Sequence, residues 1–437
     1  MKNVKSCLLV LAAAFVMSAC GTKTETSQTS SIDPNVEVLD EGNTQVAFNE
    51  ITRNVLINDK AKAYIDKMHA EEDEGIACGN DPYTFDALNG VDKVDVKNEL
   101  SQSDSSKNKP IEISWEKGDM DYESIKLLIS ENWKFDDYRE ISTTGASVQV
   151  DNLKRATTYY YRLTNEDGSI LSQVQKFETA DYVRKMNFDG ADGLGETIYN
   201  VRDEGGYMTS YGVRTNQGFI YRGSEINDAK FTAGGSTHKC NVDDIVMEKQ
   251  RTIFKIGCEL DLRKEDAISP NNLAGICGLS TEDMPVDYVR CSFNNYTAFV
   301  ADPDNGITDN LKTAFDCLAN ADEKPCYFHC WGGADRTGAL GLVLNGILGV
   351  SYTDLMIDFE LTTQHNSVRS HLTKNGGYDM PGMLKAFKAL EYYEEGMSIK
   401  DLCVEFLTRH GVTMETINKI RSFMLPGYDA ATDSIIA

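Results

Sequence analysis

The sequence predicts a multi-domain protein, with an antiparallel β-sandwich over about residues 107–180 and an α/β domain over 181–437 whose C-terminal part is helical. Three observations predict it. Between Lys107 and Ala180 the apolar residues recur at every second position, the period of a half-buried strand. Cys326-Tyr327-Phe328-His329 is a short apolar run and Ala339 to Leu348 a long one, and they flank a glycine-rich turn as a buried strand and a buried helix would. Beyond that turn, segments opening on Ser351, Ser398 and Thr413 start successive helices. At 437 residues, 41% of them apolar, the chain can fill two or three cores.

In chain order, Met1-Lys2-Asn3-Val4-Lys5 is basic, and Cys7 to Met17 is an apolar run too short to span a bilayer. Met17-Ser18-Ala19-Cys20-Gly21 resembles a bacterial lipobox, with Met where leucine is usual. That resemblance implies removal of residues 1–19 and lipid attachment at Cys20. No Asp follows Cys20, which points to the outer membrane; an ordinary signal peptide cut nearby would export the protein without the lipid. Residues 20–106 read as a tether, rich in Thr, Ser and Gln from Thr22 to Asp33, and a poorly defined region in which Ala61 to His69 suggests a short helix.

In the sandwich, Ile111, Ile113 and Trp115 alternate, as do Val148 and Val150, and Tyr159, Tyr161 and Leu163. Ile-x-Ile-x-Trp, Val150-Asp151-Asn152-Leu153, Thr158 to Arg162 and Phe177-Glu178-Thr179, in that order, resemble a fibronectin type III module. The resemblance makes Tyr159 the corner tyrosine and implies a role in spacing or partner binding.

The α/β domain has strands near 219–222, 258–262, 287–291 and 326–329. The last leads into His329-Cys330-Trp331-Gly332-Gly333-Ala334-Asp335-Arg336-Thr337-Gly338, a strand, a glycine-rich turn and a helix start. Free amides and the positive end of a helix bind an anion, and glycines let successive amides point inward. The same field stabilises a thiolate, so Cys330 is the candidate nucleophile. Arg336 offers a planar fork for two phosphoryl oxygens, and the Thr337 hydroxyl can donate to the Cys330 sulfur. Trp331, Gly332, Gly333, Ala334, Thr337 and Gly338 complete the candidate substrate-binding loop, with His329 behind it to orient the cysteine backbone. The implied chemistry is phosphoryl transfer to sulfur, then hydrolysis of the thiophosphate, and it calls for no cofactor and no metal. Bare spacing is not the signal: Cys403 and Arg409 are also six apart, with no glycine between them, inside a helical pattern.

His329 to Gly338 resembles the phosphate loop of the cysteine-dependent tyrosine phosphatases, in particular the bacterial tyrosine/dual-specificity subgroup. Asn200 to Tyr207, Gly218 to Ser224 and Glu259-Leu260-Asp261-Leu262-Arg263 resemble further stretches of that family, and the likeness covers about residues 181–437. It implies a phosphatase acting on phosphotyrosine, or on phosphoserine and phosphothreonine. Arg202, Asp203, Asp261 and Arg263 would brace the loop, and Asp358 to Thr362 would pack on it. For the general acid it suggests Asp335, or Asp302 or Asp304 in the turn-like stretch 301–306. Ala334 stands where the subgroup usually has lysine, which speaks against the alternative of an inositol phosphate phosphatase. A non-catalytic surface binding protein with a vestigial phosphatase domain is the alternative from another class; the intact Cys330, Arg336 and glycines count against it.

A formal charge of −25 argues against nucleic acid and anionic membrane surfaces as partners, and leaves the loop a local positive island suited to a singly phosphorylated protein or small molecule. The eleven cysteines show no zinc spacing; Cys317 and Cys403 fall in apolar helical patterns and are expected in the core. An exported thiolate enzyme must escape oxidation, through a reducing habitat or a recoverable disulfide at Cys330.

Overall fold

The computed structural model describes residues 46–55, 57, 59–73, 110–116, 124–183, 185–190, 198–233, 235–264, 268, 272, 274–293, 307–362 and 386–436. Cys20, the tether from Thr22 to Asp33, Asp302 and Asp304 lie outside the described residues. Among the described residues no helix is long and apolar enough to cross a membrane.

The first part holds β1 (Ala47–Phe48), α1 (Asp59–Asp73), β2 (Ile111–Glu116), β3 (Ile125–Ser130), β4 (Arg139–Thr143), β5 (Ser147–Val150), β6 (Thr158–Asn165) and β7 (Gln175–Glu178). Antiparallel pairing gives one sheet in the order β1-β2-β5 and another in the order β4-β3-β6-β7. The two sheets share one core, filled by the alternating residues read from the sequence, among them Ile111, Ile113, Trp115, Tyr161 and Leu163. The Tyr159 hydroxyl accepts the Lys154 backbone N–H at 2.8 Å.

Before the sandwich strands, β1 was not read in the sequence, whereas the helix suggested at Ala61 to His69 is present and longer, as α1. β1 pairs with β2, and Val46 and Ile51 enter the same core. α1 instead packs on a helix of the second part: Ala61, Tyr64, Ile65 and Met68, at helical spacing, are buried in that part's core.

The second part contains β8 (Arg202–Asp203), β9 (Ile220–Gly223), β10 (Phe231–Ala233), β11 (Ser236–His238), α2 (Asp244–Lys249), β12 (Cys258–Asp261), β13 (Asp287–Arg290), α3 (Ile307–Leu318) and β14 (Cys326–His329). Then come α4 (Asp335–Ile347), α5 (Tyr352–Leu361), α6 (Ile399–Arg409) and α7 (Met414–Met424). The central sheet runs β13-β12-β14-β9-β8, parallel except for β8. Leu260 and Phe328 face the larger core with the C-terminal helices; Tyr221 and Tyr327 face a second core with Val246 of α2. Both faces are therefore covered, so β9, β12 and β14 are buried along their length, and the charged residues they carry, Arg222, Glu259 and Asp261, are buried with them. The caps are where the sequence put them: the side chains of Ser351, Ser398 and Thr413 accept the amides of Asp354, Asp401 and Thr416.

Candidate active site

The phosphate loop runs from the C-terminal end of β14, the middle strand of the sheet, to the N-terminus of α4. β14 is buried along its length, and α4 is buried from Thr337 to Ile347, so both ends of the loop are anchored in packed structure. Gly333 has φ +64°, and a Cβ there would lie 2.4 Å from the carbonyl carbon and oxygen of Gly223. Gly333→Ala is therefore expected to displace the loop and weaken binding of tungstate, a phosphate mimic, by roughly tenfold or more, a strain of about 1–3 kcal/mol. Titration followed by Trp331 fluorescence checks this, and wild-type affinity would mean that the loop does not need this backbone contact.

The carbonyls of the loop are tied from outside. The Cys330 carbonyl accepts from His329 Nδ1 at 3.0 Å, and that of Trp331 from the Glu225 N–H at 3.1 Å. The Gly332 carbonyl accepts from Asn200 Nδ2 at 3.1 Å. That of Gly333 accepts from Asn200 Nδ2 at 2.9 Å and Arg222 Nη2 at 3.1 Å. Four consecutive carbonyls are thus turned away from the loop's interior, which leaves that interior to amides and to the unpaired N–H groups of the first helical turn.

Cys330 is buried at the base of this ring. Burial alone would raise its thiol; the Arg336 charge, then the Thr337 hydroxyl and amide, outweigh that, and Cys330 falls below the ordinary thiol value despite the opposing charge of Asp335. Thr337 Oγ1 is buried and meets no partner at strict hydrogen-bond geometry, so its help to the sulfur is that of a nearby dipole. Burial pushes the thiols of Cys277, Cys291 and Cys403 the other way. Arg336 is half-buried and donates from Nη1 to the Leu262 carbonyl at 3.3 Å, which holds the guanidinium beside the loop. Asp335, also half-buried, is the first residue of α4, and Ala334, before it, is buried.

The braces converge from distant segments. Asp358, on α5, accepts from Arg202 Nε at 2.7 Å, Arg222 Nη1 at 2.6 Å and the Tyr207 hydroxyl at 3.1 Å. Arg202 in turn donates to Asn200 Oδ1, whose amide donates to the Thr362 hydroxyl at 3.2 Å as well as to the loop. Burial raises the Glu204 carboxyl, and the Asp358 charge raises it further, against Arg222 and Arg202. Its Oε1 lies 3.4 Å from Arg222 Nε, an ion-pair distance without hydrogen-bond geometry.

On β12 and β14, Glu259, Asp261 and His329 share one face of the sheet, since Asp261 and His329 are Cα partners and Glu259 is two residues from Asp261. Their ligand atoms lie within 4.8 Å of one another, but the donors are spent. His329 Nε2 faces Glu259 at 2.8 Å and Nδ1 faces the Cys330 carbonyl, so both nitrogens donate. Burial disfavours charge on His329; Asp261 and Glu259 outweigh it and raise the imidazole above its ordinary value. Asp261 is bound by Arg263 through Nε and Nη2 and by the Tyr288 hydroxyl.

Of the four braces expected from the sequence, Arg202 serves the loop as described, and Asp261 and Arg263 form a buried pair. Arg263 also binds Glu225, whose amide holds the Trp331 carbonyl. Asp203 departs from expectation: its carboxylate accepts the amides of Gly205 at 2.7 Å and Gly218 at 2.6 Å and so holds a turn. Asn200, Arg222, Glu259 and Tyr207 were not singled out in the sequence, although each lies in a stretch that carried the resemblance. Cys403 is buried as expected, whereas Cys317 is half-buried; the described cysteines all carry free thiols.

A cysteine held toward its thiolate at the base of an amide-lined loop, beside an arginine, defines a cysteine-based phosphatase. A family model described as "Tyrosine phosphatase family" matches residues 195–425, more than half of the chain, and the chain belongs to that family. A solved structure that matches is the core catalytic domain of the PP-IP phosphatase SIW14 from S. cerevisiae in complex with citrate. It is 16% identical and covers 42% of this chain and 88% of that one, with a TM-score of 0.26. No curated protein matches the chain.

Proposed function

We propose that this chain hydrolyses phosphotyrosine, with phosphoserine and phosphothreonine as further substrates, through a phosphocysteine intermediate. The observation that carries the reading is the ring of four outward-tied carbonyls around a thiol whose pKa is depressed. In the first step the Cys330 thiolate attacks phosphorus and the P–O bond to the leaving group breaks, while the loop amides and Arg336 hold the phosphoryl oxygens. Asp335 gives its proton to the leaving oxygen. In the second step water attacks phosphorus, Asp335 takes back a proton, and the P–S bond breaks to release phosphate and the thiolate. Ala334 adds no cation to the loop, and the body carries a formal charge of −25, which favours one phosphate over several clustered together.

Asp335→Asn is expected to slow phosphotyrosine peptide by roughly 10²–10⁴-fold, the usual worth of a general acid, and p-nitrophenyl phosphate far less, since its leaving group needs little protonation. If Asp302→Asn or Asp304→Asn shows that pattern instead, the acid is one of those residues. The reading as a whole is tested by steady-state hydrolysis of a phosphotyrosine peptide, a phosphoserine peptide and an inositol polyphosphate, with reduced protein and EDTA. Turnover of phosphotyrosine supports it; turnover of the inositol polyphosphate alone would move the substrate class, and turnover of none would favour a binding role.

The proposal extends to the address and the first domain. A lipobox at Met17 to Gly21 would place Cys20 on a bacterial membrane, the outer one, after loss of residues 1–19, with residues 20–106 between anchor and domains. Residues 107–180 are read as a fibronectin type III-like module ahead of the catalytic domain at 181–437; the Tyr159 hydroxyl on the Lys154 amide supports this, as a corner tyrosine would.

A further inference from the structure

We propose that Arg155, in the turn between β5 and β6, is a positioning residue for the phosphate loop, so that the N-terminal sheets are a working part of the phosphatase and not a spacer. This rests on the phosphatase reading above.

A spacer would meet the catalytic part through exposed, replaceable contacts. Arg155 does not: its side chain is only 7% exposed although it belongs to a surface turn of the sheet module. Its backbone is fixed to the catalytic part at both polar groups, the N–H to Gln217 Oε1 at 2.9 Å and the carbonyl to Gln217 Nε2 at 3.0 Å. Its Nε donates to Asp181 at 2.7 Å, and Arg214 grips the same carboxylate at 2.6 Å. With backbone and Nε held, the guanidinium lies over the Tyr207 ring, 5.1 Å from its centroid.

Tyr207 carries this contact inward. The ring is 1% exposed, so it cannot shift without its neighbours. Its hydroxyl donates to Asp358, the carboxylate that also takes Arg202 and Arg222. Those two arginines set Asn200 and the Gly333 carbonyl, and with them the direction of the loop amides. Each link is a direct contact between buried groups, and position is the quantity passed along: the ring sets the hydroxyl, the hydroxyl helps fix the carboxylate, and the carboxylate fixes both arginines. The sheet module thus supplies the outermost member of the set that orients the loop.

The test uses the full chain with Arg155→Ala, Arg155→Lys, Tyr207→Phe and the double variant Arg155→Ala/Tyr207→Phe. Two quantities are read: kcat and KM for p-nitrophenyl phosphate, and the pH midpoint for iodoacetamide alkylation of Cys330, followed by mass spectrometry of its peptide. Arg155→Ala is expected to lower kcat/KM by roughly three- to tenfold, mostly through KM, and to raise the alkylation midpoint, as a residue coupled through direct neighbours would. Arg155→Lys should restore most of both. Tyr207→Phe should reproduce the loss, and the double variant should be little worse than either single one. Wild-type kinetics and midpoint in Arg155→Ala, with only a lower melting temperature, would overturn the proposal, as would strictly additive losses. Tyr207→Phe and Arg155→Lys carry the test if Arg155→Ala does not fold. Should the wild type turn over no phosphomonoester, the functional reading falls, while the alkylation midpoints still decide whether Arg155 positions the loop.

Discussion

Cys330→Ser is expected to lower turnover of every phosphomonoester by at least about a thousandfold, since loss of a nucleophile costs hydrolases on the order of 10⁴–10⁶. A serine hydroxyl does not lose its own proton near neutral pH, so it cannot take the place of a thiolate held down by Arg336 and Thr337. Binding should survive. The anion is held by amides whose carbonyls are tied to His329, Glu225, Asn200 and Arg222, and none of those bonds involves the sulfur. Tungstate titration by Trp331 fluorescence and p-nitrophenyl phosphate kinetics, run together, separate the two effects. The pH dependence has a definite sign. Because the Cys330 thiol is depressed, the rising limb of alkylation and of kcat/KM should lie below the ordinary thiol range and be lost as pH falls through it. Residual turnover near that of the wild type would sink the covalent scheme.

Asp358→Asn is expected to be the most damaging change away from the loop. Arg202 and Arg222 are both buried, and Asp358 is the carboxylate that meets them at 2.7 and 2.6 Å. Burial works against the charge on Asp358, and the two guanidiniums outweigh it, holding the carboxyl below its ordinary value. An amide of the same shape keeps some hydrogen bonds and removes the charge, which leaves two buried cations facing Glu204 alone; without the Asp358 charge that carboxyl is drawn toward its ionised form and offsets part of the loss. Breaking such a cluster costs about 3–5 kcal/mol, a fall in Tm on the order of 10 °C for a domain of this size. Since Arg222 also holds the Gly333 carbonyl, the folded fraction should bind tungstate more weakly at 25 °C. Calorimetry and the tungstate titration read the two effects; an unchanged melting curve would mean that water or Glu204 already balances the arginines.

The site was legible where one short segment carries it. Strand, glycine turn and helix start are contiguous from Cys326 to Ile347, so the candidate nucleophile, the arginine and the candidate anion-binding amides are placed together by local sequence. The period-two runs gave the strands around Ile111, Tyr159 and Tyr161 for the same reason, and the caps at Ser398 and Thr413 marked their helices to the residue. The braces were less legible because their meaning depends on pairing. Asp358 to Thr362 was expected against the loop from the family resemblance, but nothing in the sequence pairs Asp358 with Arg222, in a buried strand 136 residues earlier, until the fold brings them to 2.6 Å. Glu259 likewise acquires its role only when β12 lies beside β14 and sets it against His329.

Helix α1 shows the same division at the level of the fold. Its spacing of Ala61, Tyr64, Ile65 and Met68 announces an amphipathic helix, but nothing in those residues says which core the apolar face will enter. Arg155 is the extreme case, a cation in a turn between two strands, for which exposure is the ordinary expectation until the catalytic part closes over it. The amino-acid sequence by itself determined the chemistry, because phosphoryl transfer to sulfur needs residues whose spacing along one loop is fixed by backbone geometry. Only the tertiary structure decided what holds that loop in shape, because ion pairs between buried groups far apart in the chain are set by packing, and packing is a property of the whole fold.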